Sequence, residues 1–441
     1  MKKTRILIVL GFVGTIAAGA FLLMLPASSP SGAWMKPMDA LFTSCSAVCI
    51  TGLSVIDAGA DLSRFGQCVL IALVQIGCVG MMTLGTFFLV VVGRRLSLSS
   101  EFSLMNAYGA KGVNGWRGLV MWVILSMAAI ELAGTWALRA VHPALTLFEA
   151  YFYSVMSFCN SGFSLDAASL APFGKSPSAL IVMGLLSVLG GLGFLVNYNI
   201  CTIQFWRRNL VKRGRLSLHS HVVLVMTLAL LAGMFAFFLA MEWNGVLKPF
   251  SAGDKAAVAF FQSISLRSCG FTVTPMEDLH PATRFVSEVL MFVGAAPGSA
   301  GGGIKVTTVA VFLVTILAFC RGRRDTVVFR RTVPEAVVRE SIVIVMVFAA
   351  MIVLGMTALL ISDGGEGGLP FEHLLFETVS AVSTTGLSCA GTTASLSNAG
   401  RVVIMLCMLC GRLGALTVVM LVGGQEESST IRYPKEELVV G

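Results

Sequence analysis

Four glycines lie in the same short sequence pattern, which recurs along this chain at intervals of about 110 residues. A phenylalanine stands ten residues before each glycine, and a small polar residue or a thiol directly precedes it. Leucine or phenylalanine follows it, and then a hydroxyl-bearing residue. The glycines are Gly52, Gly162, Gly270 and Gly386. Self-similarity at a fixed period indicates one structural unit copied along the chain, so four copies of one unit are predicted.

The chain is too apolar for a soluble domain. Of its 441 residues, 56% are hydrophobic and 12% are charged, with a mean hydropathy of +0.86. Soluble domains carry roughly a quarter charged residues, and apolar runs of about 20 residues are long enough to cross a bilayer as helix. A polytopic membrane protein is therefore predicted. The first apolar run (residues 6–25) is longer than the core of a typical cleaved signal peptide, so it is interpreted as the first transmembrane helix, with cleavage as the alternative.

Each unit is predicted to hold a long apolar helix, a short helix, the glycine loop and a second long helix. The short helices span about 12–14 residues, which suits a re-entrant segment rather than a crossing. Backbone that is not helical can sit at membrane depth only where protein buries it or water lines it, so the four hairpins should face a shared axis. The predicted fold is an all-α membrane protein with eight transmembrane helices and four re-entrant pore loops, pseudo-four-fold symmetric around one pore.

The predicted boundaries follow the repeats. They are repeat 1 (1–93), repeat 2 with a preceding cytoplasmic loop (94–215), repeat 3 with an intramembrane loop at 294–305 (216–321), repeat 4 (322–424) and a cytoplasmic tail (425–441). If the N-terminus is inside, most Lys and Arg fall in cytoplasmic segments, as the positive-inside rule requires, so both termini are predicted to be cytoplasmic. These loops account for the net charge of +8, so nucleic acid is not an expected partner. In the outer segments acidic residues exceed basic ones, which would concentrate cations at an outer mouth.

The glycine loops suit the chemistry of a cation pore. A cation that crosses a bilayer must exchange its water for other oxygens, and rings of backbone carbonyls do this for potassium. Glycine turns its carbonyl at low cost because it tolerates positive φ, and the C-terminal ends of the short helices would favour a cation. The alternative, a plain helix break, fits one loop better than four aligned copies. The candidate ion-binding residues are Ile50, Thr51, Gly52, Asn160, Ser161, Gly162, Ser268, Cys269, Gly270, Thr384, Thr385 and Gly386.

Several motifs resemble one family over essentially the whole chain. They are Thr51-Gly-Leu, Gln75-Ile-Gly, Asn160-Ser-Gly-Phe, Gly190-Gly-Leu-Gly, Arg267-Ser-Cys-Gly-Phe, Pro297-Gly-Ser-Ala-Gly-Gly-Gly-Ile-Lys, Thr385-Gly-Leu, Gly411-Arg and Tyr433-Pro-Lys-Glu-Glu. With them the chain resembles the Trk/Ktr/HKT superfamily of potassium transporters, and most closely the membrane subunit of the bacterial Ktr system. The absence of two extra N-terminal helices favours Ktr over Trk. In the family, serine at the first filter glycine accompanies sodium permeation, so Gly52 favours potassium.

The chain departs from the family pattern at Ser161, Cys269 and Ala300, and Cys269 lies in the filter itself. These departures leave selectivity open. The nearest alternative is therefore a sodium-permeable or weakly selective cation channel of the same fold.

The glycine-rich segment before Lys305 is not a phosphate loop, because Ile304 intervenes and no Ser or Thr follows. Close helix packing by small residues is one explanation of these glycines. The resemblance implies instead a flexible gate below the filter. The implied gate residues are Gly298, Gly301, Gly302, Gly303, Lys305 and Arg412.

Ionisable residues inside a membrane are usually functional. By resemblance, Arg412 faces the pore as an electrostatic barrier. Arg267 is interpreted as support for the third filter loop, and Lys305 alternatively snorkels toward the cytoplasm. Glu131 has no assigned role beyond a paired, structural one.

The resemblance implies inward K+ transport across the plasma (inner) membrane of the cell. It also implies a homodimer in membrane lipid, a cytoplasmic ring of nucleotide-binding (RCK-type) regulatory subunits and stimulation by Na+. No nucleotide motif is present, so no cofactor is expected on this chain, and K+ at the filter is the only metal ion expected. An enzyme is disfavoured, because the five His show no metal-binding spacing.

Overall fold

The computed structural model describes residues 2–91, 115–202, 217–323, 325–365 and 367–414, and it is mostly helical. In chain order, the helices of the first two units are α1 (Lys2–Met24), α2 (Pro37–Val48), α3 (Arg64–Val91), α4 (Gly115–Val141), α5 (Leu147–Cys159), α6 (Pro177–Leu192) and α7 (Phe194–Thr202). Those of the last two units are α8 (Leu218–Glu242), α9 (Ala252–Ser265), α10 (Pro281–Phe292), α11 (Val306–Cys320), α12 (Glu335–Asp363), α13 (Phe371–Val382), α14 (Thr392–Ser395) and α15 (Asn398–Leu413). The predicted alternation of long and short helices is present in each unit.

Some elements were not expected from the sequence. Between the third and fourth units, β1 (Val327–Val328) and β2 (Arg331–Thr332) form a small antiparallel hairpin. The unit boundaries remain a prediction, and those at 93, 215 and 424, like the tail at 425–441, lie outside the described residues.

The short helices α2, α5, α9 and α13, called here the pore helices, begin at local capping signals. Pro37 occupies the first turn of α2, where its missing N–H costs nothing. Thr146 and Glu149 form a capping box on α5, and the Ser251 hydroxyl accepts the N–H of Asp254 on α9. Each pore helix stops a few residues before its glycine, so its C-terminal end points at the glycine loop.

The units pack in a cyclic order. Each later pore helix contacts the second long helix of the unit before it, as α5 does with α3, α9 with α6 and α13 with α10. The series closes where α15, at the end of the fourth unit, packs on α2 of the first. The pore helices therefore stand in a ring, as the repeats predicted.

The long helices wrap this ring, but not all of them are continuous. Among the described residues, three unbroken helices are long and apolar enough to cross a bilayer: Met121–Val141, Leu218–Glu242 and Glu335–Asp363. The bent pair α6–α7 qualifies as a fourth when taken as one span. The other predicted spans are interrupted by a loop or reach residues outside the described ranges.

The break between α6 and α7 corrects the expectation of one continuous helix over residues 178–205. The two helices meet at an angle of 99°. Gly193 stands at the corner with φ of +82°, a conformation that glycine adopts easily. The third unit is also interrupted, as expected, because residues 293–305 leave the helix between α10 and α11.

The apolar core lies behind the glycine loops. The phenylalanines ten residues before three of the glycines, Phe42, Phe152 and Phe376, are fully buried, whereas Phe260 is half-buried. The residue after each glycine is buried as well: Leu53, Phe163, Phe271 and Leu387. The buried side chains on both sides of each glycine anchor the glycine loops in the apolar core.

The core role of these phenylalanines can be tested on α13, where Phe376 is fully buried and Phe371 is 57% exposed. Phe376→Ala should destabilise the protein by about 3–5 kcal/mol, because it removes apolar contacts and leaves a cavity. The measurement is the thermal unfolding midpoint of purified protein in detergent. Phe371→Ala is the matched control and should leave the midpoint nearly unchanged. Equal losses for the two variants would contradict the assigned core.

Candidate functional site

The four glycine loops (residues 50–52, 160–162, 268–270 and 384–386) meet at one point. A Cβ built on Gly52 or Gly386 would overlap a carbonyl oxygen of the neighbouring loop, that of Ser161 or Thr51 respectively. A Cβ built on Gly270 would lie 2.6 Å from the Thr385 carbonyl oxygen and 3.0 Å from Gly162 Cα. The loops therefore form a closed ring with no room for a side chain at these glycines.

The backbone of every glycine loop alternates in the sign of φ. The four glycines have φ between +70° and +94°. The residue two positions earlier is also at positive φ in every loop: Ile50, Asn160, Ser268 and Thr384. The residue between them is not. Positive φ is an outlier for a β-branched residue such as Ile50, and such strain clusters at functional sites. Alternating signs of φ can turn successive carbonyls toward the same side of the chain, as a ring of cation ligands requires.

In three of the four loops, the side chain between the two positive-φ positions has a partner outside the ring of glycines. Cys269 Sγ lies 2.9 Å from Ser187 Oγ, and the Ser161 hydroxyl donates to Met156 Sδ at 2.8 Å. Thr385 Oγ1 contacts Ser383 Oγ at 3.0 Å. The Thr51 hydroxyl has no hydrogen-bond partner among the described residues. Among the described residues, no cluster of three or more His, Cys, Asp or Glu side chains is placed to hold a metal ion.

Two serines hold the glycine N–H groups away from the axis, and the sequence analysis missed them. The N–H of Gly52 donates to Ser46 Oγ at 3.0 Å, and the N–H of Gly386 donates to Ser380 Oγ at 3.1 Å. Both serines stand six residues before their glycine. A comparison of the aligned repeats at that position could have found the pair.

One cavity of about 390 Å³ opens above the ring, and all four glycines line it. Asp57 and Asp166 also line it, which makes its charge negative. The hydroxyl residues that follow the loops, Ser54, Ser164, Thr272 and Ser388, stand around it. Two of these hydroxyls donate within their own segments, Ser54 to the Ile56 carbonyl at 2.5 Å and Ser164 to the Ser169 carbonyl at 3.0 Å.

The segment 294–305, called here the inner loop, lies directly against the other side of the ring. A Cβ on Gly302 would overlap Thr384 Oγ1, and a Cβ on Gly301 would come within 3.0 Å of Ser268 Cβ. These two glycines are therefore needed for close approach to the glycine loops. The alternative explanation, close packing between helices, does not account for these two glycines, because their nearest contacts are to loop residues.

Hydrogen bonds tie the inner loop to the break between α6 and α7. The N–H of Ala296 donates to the Gly191 carbonyl at 3.0 Å, and the N–H of Ala300 donates to the Gly190 carbonyl at 3.2 Å. In return, the N–H of Phe194 donates to the Gly298 carbonyl at 3.1 Å. The unpredicted bend of the second unit is thus the docking place of this loop.

Three cationic side chains bind carbonyls of the inner loop. Arg412, with no exposed surface, donates to the Ala300 carbonyl at 2.6 Å and to the Gly77 carbonyl at 3.0 Å. Lys305, which is partly buried, donates to the Gly301 carbonyl at 2.8 Å. Arg267 is buried and donates to the Gly294 carbonyl, at the start of the inner loop, at 3.3 Å.

Glu131 lies behind the first two glycine loops. Its carboxylate accepts the Gln75 side-chain N–H at 2.7 Å and the Cys159 thiol at 3.7 Å. Glu131 is buried, and Cys159 directly precedes the second loop. The carboxylate therefore links the second long helix of unit 1 to the end of the pore helix of unit 2, a paired structural position.

Comparison with known proteins gives concordant matches. The family model TrkH, described as cation transport protein, matches residues 3–431. The chain is 33% identical to the Ktr system potassium uptake protein B of Bacillus subtilis (strain 168), over 98% of this chain and 95% of the relative. It is also 33% identical to the protein of the same name from Vibrio alginolyticus, over 99% and 94%.

Among solved structures, the potassium transporter TrkH from Vibrio parahaemolyticus superposes with a TM-score of 0.74. The match covers 96% of this chain and 85% of that chain at 19% identity. At this identity the likeness concerns the fold alone. It confirms the predicted fold class, an all-helical membrane protein.

The steric closure of the ring can be tested at Gly386. Gly386→Ala places a Cβ against the Thr51 carbonyl and forces an L-residue into positive φ, which costs about 1–2 kcal/mol before the overlap is counted. We expect a lower unfolding midpoint in detergent and loss of any stabilisation by added alkali cations. Gly253→Ala, where a Cβ meets no atom within 4 Å, is the control and should keep both properties. Preserved cation stabilisation in the Gly386 variant would argue against an ion site at the ring.

Proposed function

Because this chain belongs to the TrkH family of cation transport proteins, we propose that it is the ion-translocating subunit of a potassium uptake system. Membership of a transport family confirms that the chain is a multi-pass membrane protein and not an enzyme. In the proposed function, K+ enters the cell through a selectivity filter built from the four glycine loops.

One observation carries the proposal, namely the closed ring of four glycine loops with alternating φ beneath a single cavity. Such a ring offers carbonyl oxygens at several levels along one axis, and these can replace the hydration shell of K+. The ligands are proposed to come from the three residues of each loop. They are Ile50, Thr51, Gly52, Asn160, Ser161, Gly162, Ser268, Cys269, Gly270, Thr384, Thr385 and Gly386.

Buried hydroxyls at the glycine loops support a further ion position. The Thr51, Ser268 and Thr384 hydroxyls are buried and have no hydrogen-bond partner among the described residues. A buried polar group without a partner is costly and calls for a ligand such as an ion or a water molecule. Ser268 and Thr384 lie against the inner loop, so this position would be at the cytoplasmic end of the filter.

The inner loop is proposed to be the gate. It presses on the inner side of the ring, and Arg412 holds it there while placing a positive charge on the path of a cation. Opening would require the bonds from Arg412 and Lys305 to break and the loop to leave the ring. The proposed gate residues are Gly298, Gly301, Gly302, Gly303, Lys305 and Arg412. Arg267 is proposed to support the filter indirectly, through the start of the loop.

The assembly is also proposed by analogy with the Ktr relatives, whose name describes a system of components. The chain would form a homodimer in membrane lipid and bind a cytoplasmic ring of nucleotide-binding regulatory subunits, with Na+ as an activator and no cofactor of its own. The plasma (inner) membrane is its proposed location, with both termini cytoplasmic. Strongly exposed apolar side chains such as Phe319 and Ile361, 84% and 82% exposed, support contact with lipid.

The first test is growth of a potassium-uptake-deficient bacterium at low millimolar K+ with wild type or Gly52→Ser, each alone and with a regulatory subunit. The serine Cβ would overlap the Ser161 carbonyl and displace a filter ligand. We expect wild type to rescue growth and the variant to lose rescue or to become sensitive to Na+. Membrane abundance of both proteins is measured in parallel.

Gly365→Ser, at a position where a Cβ meets open space, is the control for the substitution itself. If Gly52→Ser rescues growth as well as wild type does, the glycine loops are not the filter. No rescue by wild type in the membrane would favour the alternative of a sodium-permeable or weakly selective channel, which the unusual Cys269 motivates.

The gate is tested by Arg412→Gln. The substitution removes two hydrogen bonds from a charged group, each worth about 1.5–3 kcal/mol. The inner loop should then leave the ring more easily, and K+ flux in the absence of the regulatory subunit should rise about tenfold. Flux is measured in proteoliposomes. Arg412→Lys keeps the charge with fewer bonds and should lie between wild type and Arg412→Gln. A folded Arg412→Gln protein with lower flux than wild type would overturn the gate.

A further inference from the structure

A carboxylate without exposed surface stands behind the fourth glycine loop. Glu377 lies on the pore helix α13, nine residues before Gly386, and it is fully buried. Its Oε1 accepts the hydroxyl of Ser388 in a short hydrogen bond, and the Thr393 hydroxyl lies 3.0 Å from both carboxylate oxygens. Thr393 Oγ1 also lies 3.1 Å from Ser388 Oγ, and its single hydrogen serves one of these three acceptors at a time. Both carboxylate oxygens therefore lie within hydrogen-bond distance of a hydroxyl.

The carboxylate has no cationic partner in the described part of the chain. The ion pairs found there are Arg284 with Glu372 and Arg401 with Asp39. Buried charges are normally paired, because transfer from water is costly. A buried carboxyl without such a partner is either neutralised by a proton or balanced by a positive charge nearby.

The space nearest to Ser388 that could hold such a charge is the cavity of about 390 Å³ above the ring of glycine loops. Ser388 lines that cavity together with the four glycines of the ring, and it is half-buried. Its hydroxyl hydrogen points to Glu377, so at least one lone pair of its oxygen is free to face the cavity. A hydrogen bond to a carboxylate also polarises the hydroxyl and makes its oxygen a better ligand for a cation.

A similar contact between a pore-helix side chain and the hydroxyl that follows the glycine loop occurs on the opposite side of the ring, where the side chain is neutral. In the second unit, the residue nine before the glycine is Tyr153, and its hydroxyl lies 3.4 Å from Ser164 Oγ, two residues after the glycine. The corresponding residues of units 1 and 3 are Thr43 and Phe261. A neutral phenol is enough to brace a loop, so bracing alone does not explain a buried carboxylate in unit 4.

We propose that Glu377 is a positioning residue for the outermost cation site of the filter. It fixes the Ser388 oxygen toward the cavity and, in its ionised form, adds a negative charge that raises the affinity for the entering cation. The charge acts through a water-poor interior, where it is screened far less than the acidic residues on the outer surface. This inference rests on the proposed function, since it concerns the entry of K+ into the same filter.

The experiment compares K+ uptake by wild type, Glu377→Gln and Ser388→Ala in potassium-uptake-deficient cells, with protein abundance measured in the membrane. Glu377→Gln should raise the K+ concentration for half-maximal uptake about fivefold, with a much smaller change in the maximal rate. Ser388→Ala should raise it as well. Because both residues act through one oxygen, the double variant should show no more than the larger single effect.

Two variants serve as controls. Glu372→Gln removes a negative charge from the same helix, but its side chain is 67% exposed, so it should leave the half-maximal concentration nearly unchanged. Tyr153→Phe removes the neutral tie of the second unit and should alter stability or maximal rate rather than K+ affinity.

A purely structural role would lower the maximal rate or the unfolding midpoint of Glu377→Gln while the half-maximal concentration stays that of wild type, and this would overturn the inference. Multiplicative effects of the two single substitutions would overturn it as well. Either result would leave the proposed function standing, provided that wild type takes up K+. Failure of wild type to take up K+ would instead refute the proposed function.

Discussion

Backbone that leaves the helix inside a membrane must have its polar groups satisfied by protein or by the contents of a cavity, and the rest of this structure depends on that constraint. In two of the glycine loops a serine behind the loop binds the glycine N–H, as Ser46 does for Gly52, and under the proposed function the loop carbonyls face the ring axis. The inner loop meets the constraint differently, because N–H groups at a helix break, a lysine and an arginine donate to its carbonyls. Under the proposed function the first set of carbonyls stays available to a cation, whereas the second set is already occupied.

This difference explains why the cationic residues lie where they do. Arg412 is fully buried and has no acidic partner among the described residues, so its charge is compensated by carbonyl dipoles at Ala300 and Gly77. A buried charge left without partners is costly, so these two bonds fix Arg412, the inner loop and α3 to one another.

Much of this architecture could be predicted from the sequence, because glycine spacing and apolar length report directly on backbone conformation. The pore helices, the ring of loops and the interruption near Pro297 follow from those patterns. The break at Gly193 could not be recognised, because an apolar run containing glycines looks the same whether straight or bent. The direction of Lys305 also depends on a partner, the Gly301 carbonyl, that only the folded loop supplies. Side-chain partners far apart in sequence, such as Cys269 and Ser187, leave no local pattern.

The four repeats share the backbone conformation of their glycine loops, but they differ in the contacts behind those loops. In units 1, 2 and 4, a glycine of the second long helix lies against the end of the pore helix of the same unit. A Cβ added to this glycine would overlap a backbone carbonyl oxygen there. The glycine and carbonyl pairs are Gly77 with Val48, Gly190 with Phe158 and Gly411 with Val382. In unit 3 the helix is broken at this level, and Gly294 packs against Gly302 of the inner loop instead. A ring of four identical chains could not break only one of these contacts. Because the four units lie on one chain, a single quadrant can carry the inner loop while the other three keep their helix contacts with the ring.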